Sequence, residues 1–290
     1  MSRRPSGTLL TCAVVAALAG GACGEDDLEV AYLYVDTPAI APLGAPEAGD
    51  LVGVRVVVDA ESLGFYPTPV TVPVLGLGRR TVRVEPAVRR SGLAGVIDVY
   101  PLFAPLVREL DLRAGRTDTL RPVASYVDGA EIAFAERFEG PRTQLVLDLA
   151  PGGSPGIEIV DEGAREGRGA GVIAVSAESP VFEVASAVIR PDGGGLLDLW
   201  VELDYRGEGV LQVALLPEDI GAADPTAPSL RYFQGALPRE DWTRLYFDIV
   251  DASNDDYVAE AFRLSLLVVY DEALGPSQRV FLDNLRVVYR

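Results

Sequence analysis

From Asp50 onward the chain reads as short β-prone segments separated by Gly and Pro, and this punctuation constrains its fold more than any other feature. Segments of five to nine residues suit strands and are short for helices. Val54–Val58 leads into Asp59-Ala60-Glu61-Ser62-Leu63-Gly64, which reads as a turn with a polar centre. Pro67-Thr68-Pro69 and the strand Val70–Val74 follow, then Arg79-Arg80-Thr81-Val82-Arg83-Val84, which alternates Arg or Thr with Val as a half-buried strand does. Further on, Leu196–Tyr205, Gly209–Leu216, Trp242–Val250 and Phe262–Tyr270 are strand-like blocks. The fold class expected is all-β, with two β-sandwich domains: a small one over residues 31–127 and a larger one over 128–290. At 49% hydrophobic residues the chain can bury a core and is not a disordered one.

Composition removes much chemistry. His is absent, and all 25 side-chain cations are arginines. Without His there is no Ser-His-Asp or Cys-His site and no imidazole metal ligand. Without Lys there is no Schiff base, pyridoxal anchor or P-loop lysine. Gly152-Gly153 and Gly193-Gly194-Gly195 read as turn glycines rather than phosphate cradles. A glycosidase could run on two carboxylates alone, but nothing in the chain selects a pair, so no enzyme is expected. The net charge of −18 argues against a nucleic-acid partner, which needs a basic face to displace counterions. The same field repels anionic lipid, so membrane attachment would need a non-electrostatic anchor.

That anchor is legible at the amino terminus. Arg3 and Arg4, the apolar run Leu9–Leu18 and the small residues Ala19-Gly20-Gly21-Ala22 have the order of an export signal, and no later stretch is long enough for a transmembrane helix. With Cys23 following, the segment resembles a bacterial lipoprotein signal, although Gly20 stands where that pattern prefers an aliphatic residue. The resemblance implies removal of residues 1–22, lipidation of Cys23 and a lipid-anchored outer-membrane protein. Cleavage after Ala17-Leu18-Ala19, releasing a secreted protein, is the alternative. Residues 23–30 form an acidic tether, and Gly24-Glu25-Asp26-Asp27 is similar to the surface-display signal of Bacteroidota-type lipoproteins. A periplasmic-facing protein with a plain solvated linker is the other reading.

The segment Val56–Val84, in the order strand, Gly turn, Thr-Pro, strand, Leu-x-x-Gly, strand, resembles the PEGA-type repeat of envelope proteins. With Tyr100-Pro101, Leu112-Arg113-Ala114-Gly115 and Pro122-Val123-Ala124-Ser125-Tyr126, residues 28–127 resemble uncharacterised surface lipoproteins of that bacterial group. The likeness implies a PEGA-like or Ig-like sandwich without catalytic residues. In the second unit, Phe138-Glu139 near the start, Trp242 with Asp248, and the terminal Leu282-Asp283-Asn284-Leu285-Arg286-Val287 resemble galactose-binding-like jelly rolls, a fold shared by many carbohydrate-binding modules.

Alternation assigns faces in that unit. Leu197, Leu199, Val201, Leu203 and Tyr205 point one way, and Asp198, Trp200, Glu202 and Asp204 the other. Arg244, Tyr246 and Asp248 group with Trp242, opposite Leu245, Phe247 and Ile249. A face carrying Trp200, Gln212, Tyr246 and Arg263 would suit a glycan, whose apolar faces stack on aromatic rings while amides and guanidinium groups bond its hydroxyls. Packing of Trp200 beneath loops or beneath the first unit is the competing account. Glu139 and Asp283 lie at the two ends of the domain, where the jelly-roll resemblance implies a structural Ca²⁺ held by hard oxygen ligands. The acidic loop Asp251, Asn254, Asp255, Asp256 lacks the order of an EF-hand. The partner is expected to be a glycan or, failing that, an envelope protein served by a structural or accessory subunit.

Overall fold

The computed structural model describes residues 29–43, 51–90, 97–161, 163–191, 198–217, 234–248 and 261–290. The export segment, Cys23, Gly193-Gly194-Gly195, Leu197, Ile249 and the acidic loop from Asp251 to Asp256 lie outside them. The protein is all-β. No helix among the described residues is long and apolar enough to cross a membrane.

The first unit contains β1 (Val30–Val35), β2 (Ala39–Ile40), β3 (Gly53–Val58), β4 (Glu61–Tyr66), β5 (Val70–Leu75), β6 (Gly78–Arg89), β7 (Ile97–Val99), β8 (Leu106–Leu112), β9 (Thr117–Leu120) and β10 (Val123–Ala124). Its three-stranded sheet runs β5-β1-β9, and its five-stranded sheet runs β4-β3-β6-β7 with β8 also on β6. The Val positions that alternate along β3, β5 and β6 meet Ala31, Leu33 and Val35 of β1 in one core, which contains Val54, Val56, Val72, Val74, Val82 and Val84. Each fully buried Val contributes about 1.5–3 kcal/mol over an exposed one, and this unit has no other staple among the described residues.

The segment expected to be a turn, Asp59–Gly64, is one only at Asp59 and Ala60; Glu61 onward is strand β4. This strand lies at a sheet edge with Glu61 and Ser62 exposed, so its composition is that of a loop. Asp59 holds the tight turn at φ 54° and accepts the Thr81 amide at 3.0 Å and the Arg80 guanidinium at 3.0 Å. These bonds hold its carboxyl below the usual range, the Thr81 amide first.

The second unit contains β11 (Glu131–Glu136), β12 (Leu145–Asp148), β13 (Glu158–Val160), β14 (Ala170–Ser176), β15 (Val181–Ser186), β16 (Leu199–Gly207), β17 (Leu211–Pro217), β18 (Gln234–Ala236), β19 (Arg239–Asp248), β20 (Phe262–Val269) and β21 (Ser277–Tyr289). A six-stranded sheet runs β13-β14-β21-β16-β19 with β11 beside β21, and a five-stranded sheet runs β12-β15-β20-β17-β18. From β14 to β17, and again from β19 to β21, successive strands cross from one sheet to the other, which is the winding of a jelly roll. The shared core takes Leu199, Val201, Leu203 and Tyr205 from β16 and Leu245 and Phe247 from β19, the inward faces that alternation assigned.

A third apolar cluster joins the two units. Val88, Tyr100, Leu102, Phe103 and Ala124 of the first meet Trp200, Tyr246 and Val288 of the second. Arg90, just past β6, bridges in parallel to Tyr246 of edge strand β19, so the first unit's central strand runs on beside the second unit's sheet. The same arginine pairs with Asp98 at 3.3 Å and Asp248 at 2.9 Å.

Candidate functional site

The outer face of the six-stranded sheet carries the polar residues that alternation places opposite the core. At one end it is closed. Tyr100 enters from the first unit and meets Trp200 edge-on at 5.0 Å, Phe103 edge-on at 4.8 Å and Tyr246 at 4.9 Å. Trp200 is left 3% exposed and Tyr246 2%, so neither offers a ring face to a ligand. Beneath the rings lies Glu202, fully buried. It accepts the hydroxyls of Tyr100 and Tyr126, the latter at 3.1 Å, together with Arg244 at 2.8 Å and Arg286 Nε at 2.9 Å. Burial pushes its pKa up, but Arg286 and then Arg244 outweigh that and hold it below the usual range. Burial and the Glu202 charge raise the Tyr100 phenol well above its ordinary value.

The network continues through a bulge. Between Glu202 and Asp204 the pairing with β21 shifts, and Asn284 takes a left-handed φ of 46°. The shift brings Asn284 Nδ2 to 2.9 Å from Asp204 and its carbonyl to 3.0 Å from Arg244, which also reaches Asp204 at 3.3 Å. Burial lowers the Arg244 pKa, but Asp204 and Glu202 outweigh it and the net shift is upward. Two buried carboxylates and two buried guanidinium groups thus balance each other. They form a buried, paired joint.

The four residues expected to form one ligand face do not share a sheet. Trp200 and Tyr246 sit on β16 and β19 of the six-stranded sheet, whereas Gln212 and Arg263 sit on β17 and β20 of the five-stranded one. Arg263 there donates to the Ser186 carbonyl at 3.2 Å. The Trp200 indole on the polar face is covered by the first unit, as the competing packing account expected.

Glu139 and Asp283 also take other partners than those expected. Asp283 Oδ2 accepts the amides of Arg165 and Glu166 at 3.0 Å each, and Oδ1 accepts Asn284 N at 2.7 Å. Glu139 Oε1 accepts Arg168 N at 2.8 Å and Gly169 N at 3.3 Å. Both acids therefore anchor the same 163–169 turn by backbone N–H groups, whose positive ends face the oxygens a cation would need. Among the described residues no group of three or more acidic or thiol side chains gathers to hold a metal. The arrangement does not fit a Ca²⁺ shared by these two acids. Glycine is required in this turn: Gly167 takes a left-handed φ of 71°, and a Cβ on Gly169 would stand 2.1 Å from the Phe138 carbonyl. Burial raises the Asp283 carboxyl to about 6, against the three amides that favour its charge, with Asp204 adding to the rise.

The other end of the same sheet face is open. About 13 Å along β16 from Glu202, at roughly 3.3 Å per residue, Arg206 lies between Trp242 and Phe281, with centroid distances of 5.1 and 4.4 Å. Arg279 lies over Phe281 at 4.9 Å. Beside them opens a groove of about 690 Å³, walled by Phe281, Pro238 and Leu274 and by Arg206, Arg239 and Arg279. Alternation along β16 and β19 places Arg206 and Trp242 on this face, but only the register between strands reveals the row.

No protein-family model matches the sequence, and no similar curated protein was found. Among solved structures, the chain is similar to carbohydrate-binding modules. One is a family 61 module solved with β-1,4-galactotriose, at 13% identity and TM-score 0.32, covering 46% of this chain and 82% of that one. A module of the β-sandwich superfamily is matched at 12% identity and TM-score 0.38, over 83% of this chain and 86% of that one. A family 29 module solved with mannohexaose is matched at 16% identity and TM-score 0.27, over 49% and 86%. At TM-scores below 0.4 these likenesses carry no argument about what this chain binds.

Proposed function

We propose that this chain is a non-catalytic, lipid-anchored envelope protein that binds glycan through its C-terminal jelly roll. The supporting observation is the open groove at the Arg206 end of the six-stranded sheet, where an aromatic and aliphatic wall stands beside three guanidinium groups. A saccharide presents both an apolar ring face and hydroxyls, and such a wall with convergent donors complements both. A glycan array probed with the chain lacking residues 1–22 should return at least one bound polysaccharide, and Phe281→Ala should weaken it tenfold or more. An array without signal above background removes the reading.

The anchor is Cys23, and the protein faces the cell surface. Metabolic labelling with a tagged palmitate should mark the full-length protein, and Cys23→Ser should abolish the mark. Label retained by the Ser variant removes the anchor from Cys23.

A second reading, an accessory subunit of an envelope complex, is favoured by one surface of the first unit. On the exposed side of β5-β1-β9, Tyr32 lies between Pro73 and Thr117, and Tyr34 between Thr71 and Thr119. This row is uncharged in a chain of which 23% is charged, as a protein contact surface would be. Crosslinking in intact envelopes should then yield one reproducible partner lost in Tyr32→Arg.

A further inference from the structure

Many arginines of this acidic chain are matched to carboxylates. Arg55 and Arg83 meet Glu85, Arg80 meets Asp59, Arg113 meets Asp111, Arg116 meets Asp118, and Arg290 meets Asp198. Arg206 and Arg279 stand apart from these. Neither forms an ion pair among the described residues, and both rest on the ring of Phe281. Arg206 Nε is buried with no acceptor.

Stacking fixes the plane of a guanidinium and leaves its N–H edges as a fork that matches a planar oxyanion. The groove floor is fixed as well. A Cβ at Gly207 would stand 2.4 Å from the Arg279 carbonyl, so only glycine lets β16 approach β21 here. Two acids line the groove. Glu208 is tied back by the Arg279 amide at 3.2 Å, and Glu240 is exposed at the rim. Arg206 and Arg279 therefore bring two guanidinium groups without ion-pair partners among the described residues to this groove, on a molecule whose net charge is −18. Pro238 and Leu274 supply apolar wall for a sugar ring.

We propose that the groove takes an acidic saccharide, one bearing a carboxylate or sulfate, held by the Arg206 and Arg279 forks; this rests on the glycan reading above. The charge of the ligand is what the two arginines select, and the wall selects the sugar that carries it.

Calorimetric titration of the chain lacking residues 1–22 with trigalacturonate, neutral galactotriose and inorganic sulfate separates the possibilities. Trigalacturonate should bind at least tenfold more tightly than galactotriose, and more tightly than sulfate alone. Its affinity should fall steadily as NaCl rises through a few hundred millimolar. Arg206→Gln and Arg279→Gln should each cost tenfold or more, while Arg113→Gln, on the first unit, should cost nothing. Glu240→Gln should tighten binding, a change of opposite sign that a misfolded protein does not produce. Equal affinity for the acidic and neutral sugars overturns the proposal while leaving glycan binding standing. Acid binding indifferent to both arginine variants overturns it too, as does sulfate alone binding as tightly as the oligosaccharide. If neither sugar binds and the array is also silent, the glycan reading itself is lost.

Discussion

The two ends of one sheet face have been put to opposite uses. Both ends carry aromatic rings and arginines in outward positions of β16, β19 and β21. At the Glu202 end the rings are covered by the first unit and the charges are paired: Tyr100 plugs the aromatic cluster, and Arg244 and Arg286 neutralise the buried acid. At the Arg206 end no described residue of the first unit lines the groove, and Arg206 and Arg279 stack on rings without an ion pair among the described residues. Residue type alone does not distinguish a joint from a binding surface. What distinguishes them is whether each charge already has its partner.

Removing the central acid is the harshest way to break the contrast. Glu202→Ala strands two buried guanidinium groups, and loss of one partner from a buried pair costs about 3–5 kcal/mol. Urea unfolding at neutral pH should show a loss of that size, and a loss under 1 kcal/mol would mean the joint is wet and loosely paired. The depressed Glu202 pKa fixes the pH direction. Its contribution is present above about pH 4.5, the ordinary glutamate value, and is lost as pH falls through the folded value. The Glu202→Ala variant should therefore approach the parent in stability as the medium is acidified.

Tyr100→Phe sharpens the same comparison by keeping the ring and deleting one donor to the buried charge. A hydrogen bond to a charged group contributes about 1.5–3 kcal/mol, so the loss should be of that order. Both units should still melt in one transition, because the aromatic packing is kept. Two resolved transitions would show that the hydroxyl, more than the ring, couples them.

Asp283, on the same face, should respond with the opposite sign. Its folded pKa of about 6 lies above the ordinary aspartate value, so the folded state binds more protons than the unfolded one between about pH 4 and 6. Stability from this group is complete below the unfolded value and is lost as pH rises through 6. Asp283→Asn, which keeps one oxygen for the Arg165 and Glu166 amides, should gain about 1–2 kcal/mol at pH 7 and nothing at pH 4. A loss at pH 7 would show that the three amide bonds outweigh the burial of charge.

The sequence alone shows several of the strands, though not β4, and which way β16 and β19 face, because period-two alternation is local. It placed Leu199, Val201, Leu203 and Tyr205 inward and left Trp200, Glu202 and Asp204 outward, as the core contains them. It does not reveal to which sheet a strand belongs. In a jelly roll the chain changes sheet between neighbouring strands, so outward residues of β16 and β17 point away from each other on opposite sides of the molecule. That is why Gln212 and Arg263 parted from Trp200 and Tyr246. The plug was visible only as the pieces Tyr100-Pro101 and Pro122–Tyr126, since the Tyr100–Glu202 bond spans 102 residues and alternation has no reach over such a distance. The jelly-roll resemblance singles out Glu139 and Asp283 for calcium, but the turn that fills them is built from backbone amides, which have no signature in side-chain type.

The smallest effect tests the open end. Arg206 and Arg244 are outward arginines on neighbouring strands of one face, yet one rests on rings and the other on carboxylates. A stacked guanidinium at a partly exposed site contributes about 0.5–1 kcal/mol, against several for a buried paired one. Arg206→Gln should therefore lower stability by less than about 1 kcal/mol in urea, far below the loss from Arg244→Gln measured alongside it. Near-equal losses would mean that Arg206 is bound into the fold as tightly as Arg244. The groove would then be a crease in the packing, with no cation held ready for a ligand.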